Sequence, residues 1–197
     1  MIRIAVCGLD GIGKTTLIEK LNKKLSQQGL TVAKAKVPFV CKTLMANSGY
    51  ENLSEFELVR RIGMAFEFTE LYCALNVNAD ILLCDRYDID FEVLNDVYNV
   101  PQNYKDIMHA IYMKAPRPNL CFYLRGDYTL AAERLIKRGD RKDFENDDIL
   151  MSMQSSFEKR IYNYPNSVII DANKTVDGIA DEAYGYIRQV LKNKKLK

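Results

Sequence analysis

Tryptophan is absent from this chain and histidine occurs once, at position 109, in a stretch that reads as helical and surface-facing. A single imidazole leaves no material for a His-bearing zinc cluster or a Ser-His-Asp hydrolase, so any metal is expected to be magnesium alone. The five cysteines, at 7, 41, 73, 84 and 121, show no C-x-x-C spacing. Three of them fall in apolar runs that read as buried strands, which predicts free thiols in a reduced, cytoplasmic setting. No charge of one sign dominates: Lys+Arg 28 against Asp+Glu 26 gives a net +2, so nothing draws the whole chain to nucleic acid or to an anionic membrane. The basic stretch Lys192–Lys197 reads as a solvated helix end. No apolar run approaches a membrane-spanning helix, and the chain starts in a strand without a signal-peptide pattern, so neither export nor insertion is expected. The sequons at Asn52 and Asn173 then carry no glycosylation meaning. Internal repeats, low-complexity segments and an N-K-x-D guanine-reading element are also missing.

What is present is punctuation by phosphate chemistry. The apolar run Ile2–Cys7 leads into Gly8-Leu9-Asp10-Gly11-Ile12-Gly13-Lys14-Thr15-Thr16, which satisfies every fixed position of G-x-x-x-x-G-K-[ST] and opens a helix. Glycines at 8, 11 and 13 let the backbone curl with its N–H groups inward, forming a nest for phosphate oxygens. Lys14 brings charge to the terminal phosphates, Thr15 a hydroxyl suited to Mg²⁺, and the helix start its positive dipole end.

The rest of the chain alternates short apolar runs with longer helical patterns. Strands are expected at Ile2–Cys7, Thr31–Val37, Ile81–Cys84, Leu120–Leu124 and Val168–Ile170, and helices at Lys14–Gln28, Ser54–Asn76, Thr129–Arg138 and Val176–Leu191. Such βαβ order, with strands apolar throughout, predicts an α/β fold: a doubly wound parallel five-stranded sheet with helices on both faces, in one domain of 197 residues. Ligands in open parallel sheets sit beyond the carboxyl ends of the strands. The expected site therefore draws on Lys36 to Lys42, Asp85-Arg86-Tyr87, Arg125 and Asp171-Ala172-Asn173 as well as the phosphate loop.

Asp85 ends a buried run, a pattern that delivers a carboxylate to magnesium or to an acceptor oxygen, and Arg86 beside it can grip two oxygens of one phosphate. Arg134-Leu135-Ile136-Lys137-Arg138-Gly139-Asp140-Arg141-Lys142 ends a helix and enters a polar segment reaching Asp148. That segment, about 138–148, reads as a short lid whose cations would neutralise a transferring phosphoryl group while closure expels water.

These residues resemble the thymidylate kinase family, within the adenylate-kinase-like P-loop nucleotide kinases. The phosphate loop, Asp85-Arg86-Tyr87, the stretch from Glu133-Arg134 to Lys137-Arg138-Gly139 and Val168-Ile169-Ile170-Asp171-Ala172 carry the likeness over most of the chain. The resemblance implies an ATP- and Mg²⁺-dependent nucleoside monophosphate kinase acting on dTMP or a related pyrimidine deoxynucleotide. Lys14, Asp85, Arg86, Arg138 and Arg141 would be catalytic. Gly8, Asp10, Gly11, Gly13, Lys14, Thr15, Thr16 and Arg134 would bind substrates, with Asp10 facing the acceptor sugar and Arg134 packing on adenine. Thr15 and Asp85 would hold the metal. Residues 9–12 contain no cation, so the family's catalytic arginine would act from the lid. A homodimer through the helices after the second and third strands is also implied.

Departures from the family pattern gather around the acceptor. Aligning on Glu57-Leu58 puts Arg61 and Ala65 where thymine-binding members carry an aromatic and an arginine. Phe66, Phe68 and Tyr72 could stack a base or serve as core, and Arg60 or Arg61 could reach the base instead. Lys36-Val37-Pro38 loosely matches a basic-X-Pro element, while Asp88-Ile89-Asp90-Phe91 lacks the family's usual serine. A deoxynucleoside kinase remains a near alternative, and a non-catalytic or switch-type nucleotide-binding protein a distant one.

Overall fold

The computed structural model describes residues 1–36, 53–74, 78–139 and 145–195. Five strands, β1 (Ile2–Cys7), β2 (Val32–Lys36), β3 (Ile81–Asp85), β4 (Leu120–Arg125) and β5 (Ser167–Asp171), form one parallel sheet in the order β2-β3-β1-β4-β5. Apolar side chains on β1, β3 and β4 are buried at almost every position. Burial on both faces of a strand requires cover from both sides, and each such Leu, Ile or Val contributes roughly 1.5–3 kcal/mol.

Helix α1 (Lys14–Ser26) packs against the sheet and against α7 (Val176–Lys195). A second group joins α2 (Leu53–Ala74), α3 (Asp88–Val97), α4 (Gln102–Tyr112) and α6 (Asp147–Arg160), with α5 (Tyr128–Arg138) against α6. The alternation of strand and helix follows the sequence reading to within a few residues at most ends. α1 stops earlier than expected, at Ser26, and Gly29 turns the chain at φ 76. The strand-and-helix alternation gives no bounds for α3 or for α4, the helical stretch around His109, and the two short spans are separated at Pro101. Asp147 and Asp148, read from sequence as the far end of the lid, form the first turn of α6, capped by the Asn146 side chain accepting from Ile149 N–H at 3.0 Å. No helix among the described residues is long and apolar enough to cross a membrane.

The sheet register levels the functional strand ends. Lys36 on β2 pairs with Asp85 on β3, and Asp85 with Val6 on β1, so three chain segments reach the carboxyl edge beside the start of the phosphate loop. Below that edge the strands carry buried thiols. Cys7 and Cys121 lie with their sulfurs 3.3 Å apart, and Cys84 is wholly enclosed, its thiol pushed up to about 12 by burial. Inert, apolar packing is the role the sequence predicted for these three.

Candidate active site

A cavity of about 540 Å³ opens above the carboxyl edge, walled by the phosphate loop, Asp85, Arg86, Arg134 and Arg138. Two positions in the loop admit glycine alone. Gly8 has φ 136 and Gly11 φ 81; a Cβ on Gly8 would stand 2.9 Å from the Leu124 carbonyl oxygen, and one on Gly11 2.6 Å from that of Ala131. Gly13 at φ 114 then starts α1, whose first residues, Lys14 to Leu17, line the cavity. Lys14 is 6% exposed, and its ammonium donates to the carbonyls of Gly8 and Leu9, both at 2.8 Å, within 3.4 Å of Asp10 Oδ1. The same Asp10 oxygen takes the Arg86 guanidinium. Burial alone would raise the Asp10 carboxyl, but the Arg86 and Lys14 charges hold it well below the ordinary range.

Asp85 is the meeting point of two other elements. Its Oδ2 accepts the Thr15 hydroxyl at 3.0 Å and the Lys36 ammonium at 2.8 Å. Burial pushes the carboxyl up, and the Lys36 hydrogen bond with the Lys14 charge brings it below the usual value, so it is ionised at neutral pH. A hydroxyl and a carboxylate side by side, already attracting a cation, are hard oxygen donors of the kind magnesium takes when substrate phosphates and water complete its shell.

Arg86 stands in the left-handed region at φ 79, a conformation that costs a non-glycine residue about 1 kcal/mol or more. Hydrogen bonds on both sides sustain it: its N–H donates to the Val6 carbonyl at 3.0 Å, and its own carbonyl accepts the Tyr72 hydroxyl at 3.3 Å. The strained turn swings the guanidinium back over the phosphate loop. Burial works against its charge, while Asp10, Asp90 and Asp85 raise its pKa above the ordinary value.

At the far end, Arg134 of α5 donates to the Ile12 carbonyl at 2.7 Å and the Ala172 carbonyl at 3.1 Å, so its plane is fixed between the loop and the turn after β5. Lys174 and Val176 line the same end. Arg138 is exposed at the cavity rim opposite Glu145. Arg141, with the rest of 140–144, lies outside the described residues.

Two sequence expectations, those for Arg125 and Asp171, need correction. Arg125 does not reach the phosphate site: its Nε and one terminal nitrogen donate to Glu158 at 2.9 and 2.6 Å, and it also meets the Tyr162 hydroxyl. An i-to-sheet-edge position alone does not say which way a long side chain turns, and a carboxylate on α6 is closer. Asp171 likewise caps its own turn through Asn173 N–H at 2.9 Å. Phe68 and Tyr72 are core, packed edge-on with ring centres 4.8 Å apart and both against Tyr87. Phe66 instead faces outward. Ala65 is enclosed, and Arg61 is buried with its guanidinium 4.3 Å over the Tyr98 ring. The Arg60 side chain and residues 37–42 lie outside the described residues. His109 is at the surface, 2.6 Å from Glu92.

One site residue was missed by sequence reasoning. Asp90 on α3 is 1% exposed, accepts Tyr87 N–H at 2.9 Å and faces Gly8 N–H at 3.4 Å. Burial, opposed by the Lys14 and Arg86 charges, pushes its carboxyl up to about 6. The signal available was the stretch Asp88-Ile89-Asp90-Phe91, two carboxylates without the family's usual serine just beyond Asp85-Arg86-Tyr87.

Comparison with known proteins gives the chain's family and fold relatives. The chain is 28% identical to a probable thymidylate kinase of Archaeoglobus fulgidus, with 98% of this chain and 97% of that one covered. It is 26% identical to one of Thermoplasma acidophilum, covering 98% of each. A putative kinase protein of Invertebrate iridescent virus 3 is 25% identical over 88% of this chain and 90% of its own. In fold, the chain is similar to a deoxyadenosine kinase from M. mycoides with dCMP and dCDP bound, at TM-score 0.74 and 18% identity, covering 95% of this chain and all of that one. The thymidylate kinase family model matches residues 6–183, and the chain belongs to that family of ATP-dependent phosphotransferases.

Proposed function

We propose that this nucleoside monophosphate kinase transfers the γ-phosphoryl group of ATP to dTMP or a related pyrimidine deoxynucleotide, as a single kinase domain with a lid at about 138–148. One observation carries the reading: the Lys14 ammonium and the Arg86 guanidinium meet at one carboxylate, Asp10, on the wall of one cavity. A donor grip and an acceptor grip are thus close enough to hold two phosphorylated ligands in contact. A neutral hydroxyl acceptor would offer that guanidinium no charge to pair with beyond Asp10.

The chemistry asks little covalent work of the protein. An acceptor phosphate oxygen, already anionic, attacks the γ-phosphorus, the new P–O bond forms, and the bond to the β,γ-bridging oxygen breaks to release ADP. Lys14 and the loop N–H groups hold the donor phosphates, Thr16 adds to the start of α1, and Arg86 aligns the acceptor phosphate. Thr15 and Asp85 would hold magnesium, which neutralises charge on the β- and γ-oxygens when bound. Arg138 and Arg141 would close from the lid onto the transferring group. Arg134, held flat by two carbonyls, offers a face to adenine. The free thiols Cys7, Cys73, Cys84 and Cys121 suit a cytoplasmic setting.

A panel of nucleoside monophosphates with ATP and magnesium, read by ADP release, tests this directly. Highest turnover is expected with dTMP or another pyrimidine deoxynucleotide, and little with thymidine. Faster use of thymidine than of any monophosphate, or tight ATP binding without transfer, would overturn it.

The same family pattern suggests a homodimer through α2 and α3, the helices after the second and third strands, and exposed apolar side chains on α2 support it. Val59 and Phe66, one heptad apart on α2, are 63% and 58% exposed, and Ile107 on the adjoining α4 is 53% exposed. Light scattering should give about twice the 22.6 kDa chain mass, and Phe66→Glu should shift it to monomer by placing a charge in an apolar contact. A wild-type monomer would refute the assembly.

A further inference from the structure

Asp90 takes no part in the transfer steps above, yet it is an expensive residue to bury. Its Oδ2 contact to Tyr87 N–H is an ordinary N-terminal cap on α3, reciprocated by Asp90 N–H donating to the Tyr87 carbonyl at 3.0 Å. A neutral amide at this third helical position could complete the same capping box without a carboxylate's desolvation cost. The second oxygen explains the choice. Oδ1 faces the N–H of Gly8, the first residue of the phosphate loop, at 3.4 Å and 82 positions away in sequence. One buried side chain therefore touches the backbone of the donor cradle with one oxygen and the backbone next to Arg86 with the other.

The peptides around Arg86 show why such a tie matters. Its left-handed φ of 79 is kept by the Val6 carbonyl on one side and by Tyr72 and the Tyr87–Asp90 bond on the other. Loosening Tyr87 N–H would let the turn relax and carry the guanidinium off the loop. The positive charges acting on Asp90 are Lys14 and Arg86, one from each grip, and its own charge acts on the Cys7 thiol of β1 and the Tyr72 phenol of α2.

We propose that Asp90 is a positioning residue that fixes the phosphate loop and Arg86 in one register, so that donor and acceptor phosphates are held at a set separation. The inference rests on the kinase reading above. A shift of the order of 1 Å between reacting groups costs roughly 10²-fold in rate, which sets the expected effect.

Asp90→Asn is the test, because the isosteric amide keeps the cap but presents an NH₂ group to one of the two N–H donors. The expected result is a kcat lower by about 10²-fold, with a displaced Gly8 amide resonance and little change in melting temperature. In an Arg86→Ala background the same substitution should cost far less, since both act through one geometry. Should Asp90→Asn not fold, Asp90→Ser carries the same test, its single oxygen serving the cap but not both amides. Wild-type kinetics and an unmoved Gly8 resonance in a folded variant, or losses that simply add to those of Arg86→Ala, would overturn the proposal. If the wild-type protein phosphorylates no monophosphate, the kinase reading fails instead, and the Gly8 resonance with the affinity for ATP still decides whether Asp90 holds the loop.

Discussion

Lys14→Ala should reduce phosphoryl transfer by about 10³-fold or more, the scale seen when a preorganised charge at a developing oxyanion is removed. The structure gives two reasons for so large a loss. The ammonium is nearly enclosed and donates to two loop carbonyls at 2.8 Å, so it shapes the cradle before any ligand arrives. When phosphates enter, the same ammonium would exchange its loop carbonyls for their oxygens within the cavity that the loop and the start of α1 already line. A factor of 10³ corresponds to about 4 kcal/mol of lost transition-state stabilisation. A coupled ADP-release assay on the purified variant measures it, with the melting temperature recorded alongside. Unchanged kinetics in a folded Lys14→Ala protein would remove this residue from the mechanism.

Arg86→Ala should damage use of the acceptor far more than affinity for ATP. The guanidinium reaches Asp10 at the rim of the loop, on the side of β3, while the donor phosphates have the loop itself, Lys14 and the start of α1. Removing it should lower kcat/KM for the monophosphate by about 10²–10³-fold and leave the KM for ATP near its wild-type value. Arg86→Lys should recover only part, because a point charge cannot grip two oxygens of one phosphate in a plane. The substitution also changes the acid limb of stability. Asp10 is held below its unfolded pKa by Arg86 and Lys14, so its stabilisation is complete at neutral pH and is lost as pH falls. Without Arg86 that loss should begin at higher pH, a shift readable in melting temperature against pH. Equal damage to ATP and acceptor use would argue that Arg86 serves the loop alone.

The contrast between Arg86 and Arg125 shows where sequence reasoning loses its hold. Both stand at the carboxyl end of a parallel strand, at the edge where ligands bind. Arg86 turns over the cavity because Val6, Tyr72 and the α3 cap hold a left-handed residue in place, whereas Arg125 ends an ordinary extended strand and folds down onto Glu158. Tyr72 and Glu158 lie far from either arginine in the chain, so no local pattern announces the difference. Lys36 makes the same point in the opposite direction: its motif match was loose, yet the β2–β3 register brings it to Asp85.

By itself the sequence determined what short-range physics can determine. Short continuous apolar runs and period-3.6 patterns specify buried strands and covering helices, and glycines spaced around Lys14 specify a backbone nest, because both depend on residues within a few positions of one another. Folding decided the rest: which carboxylate steadies which cation, that Phe68 and Tyr72 fill the core while Phe66 faces out, and that Asp90 lies under both phosphate grips. Those outcomes depend on pairs separated by tens of residues, whose meeting is fixed only when the sheet register and the packing of α2 and α3 bring them within hydrogen-bond distance.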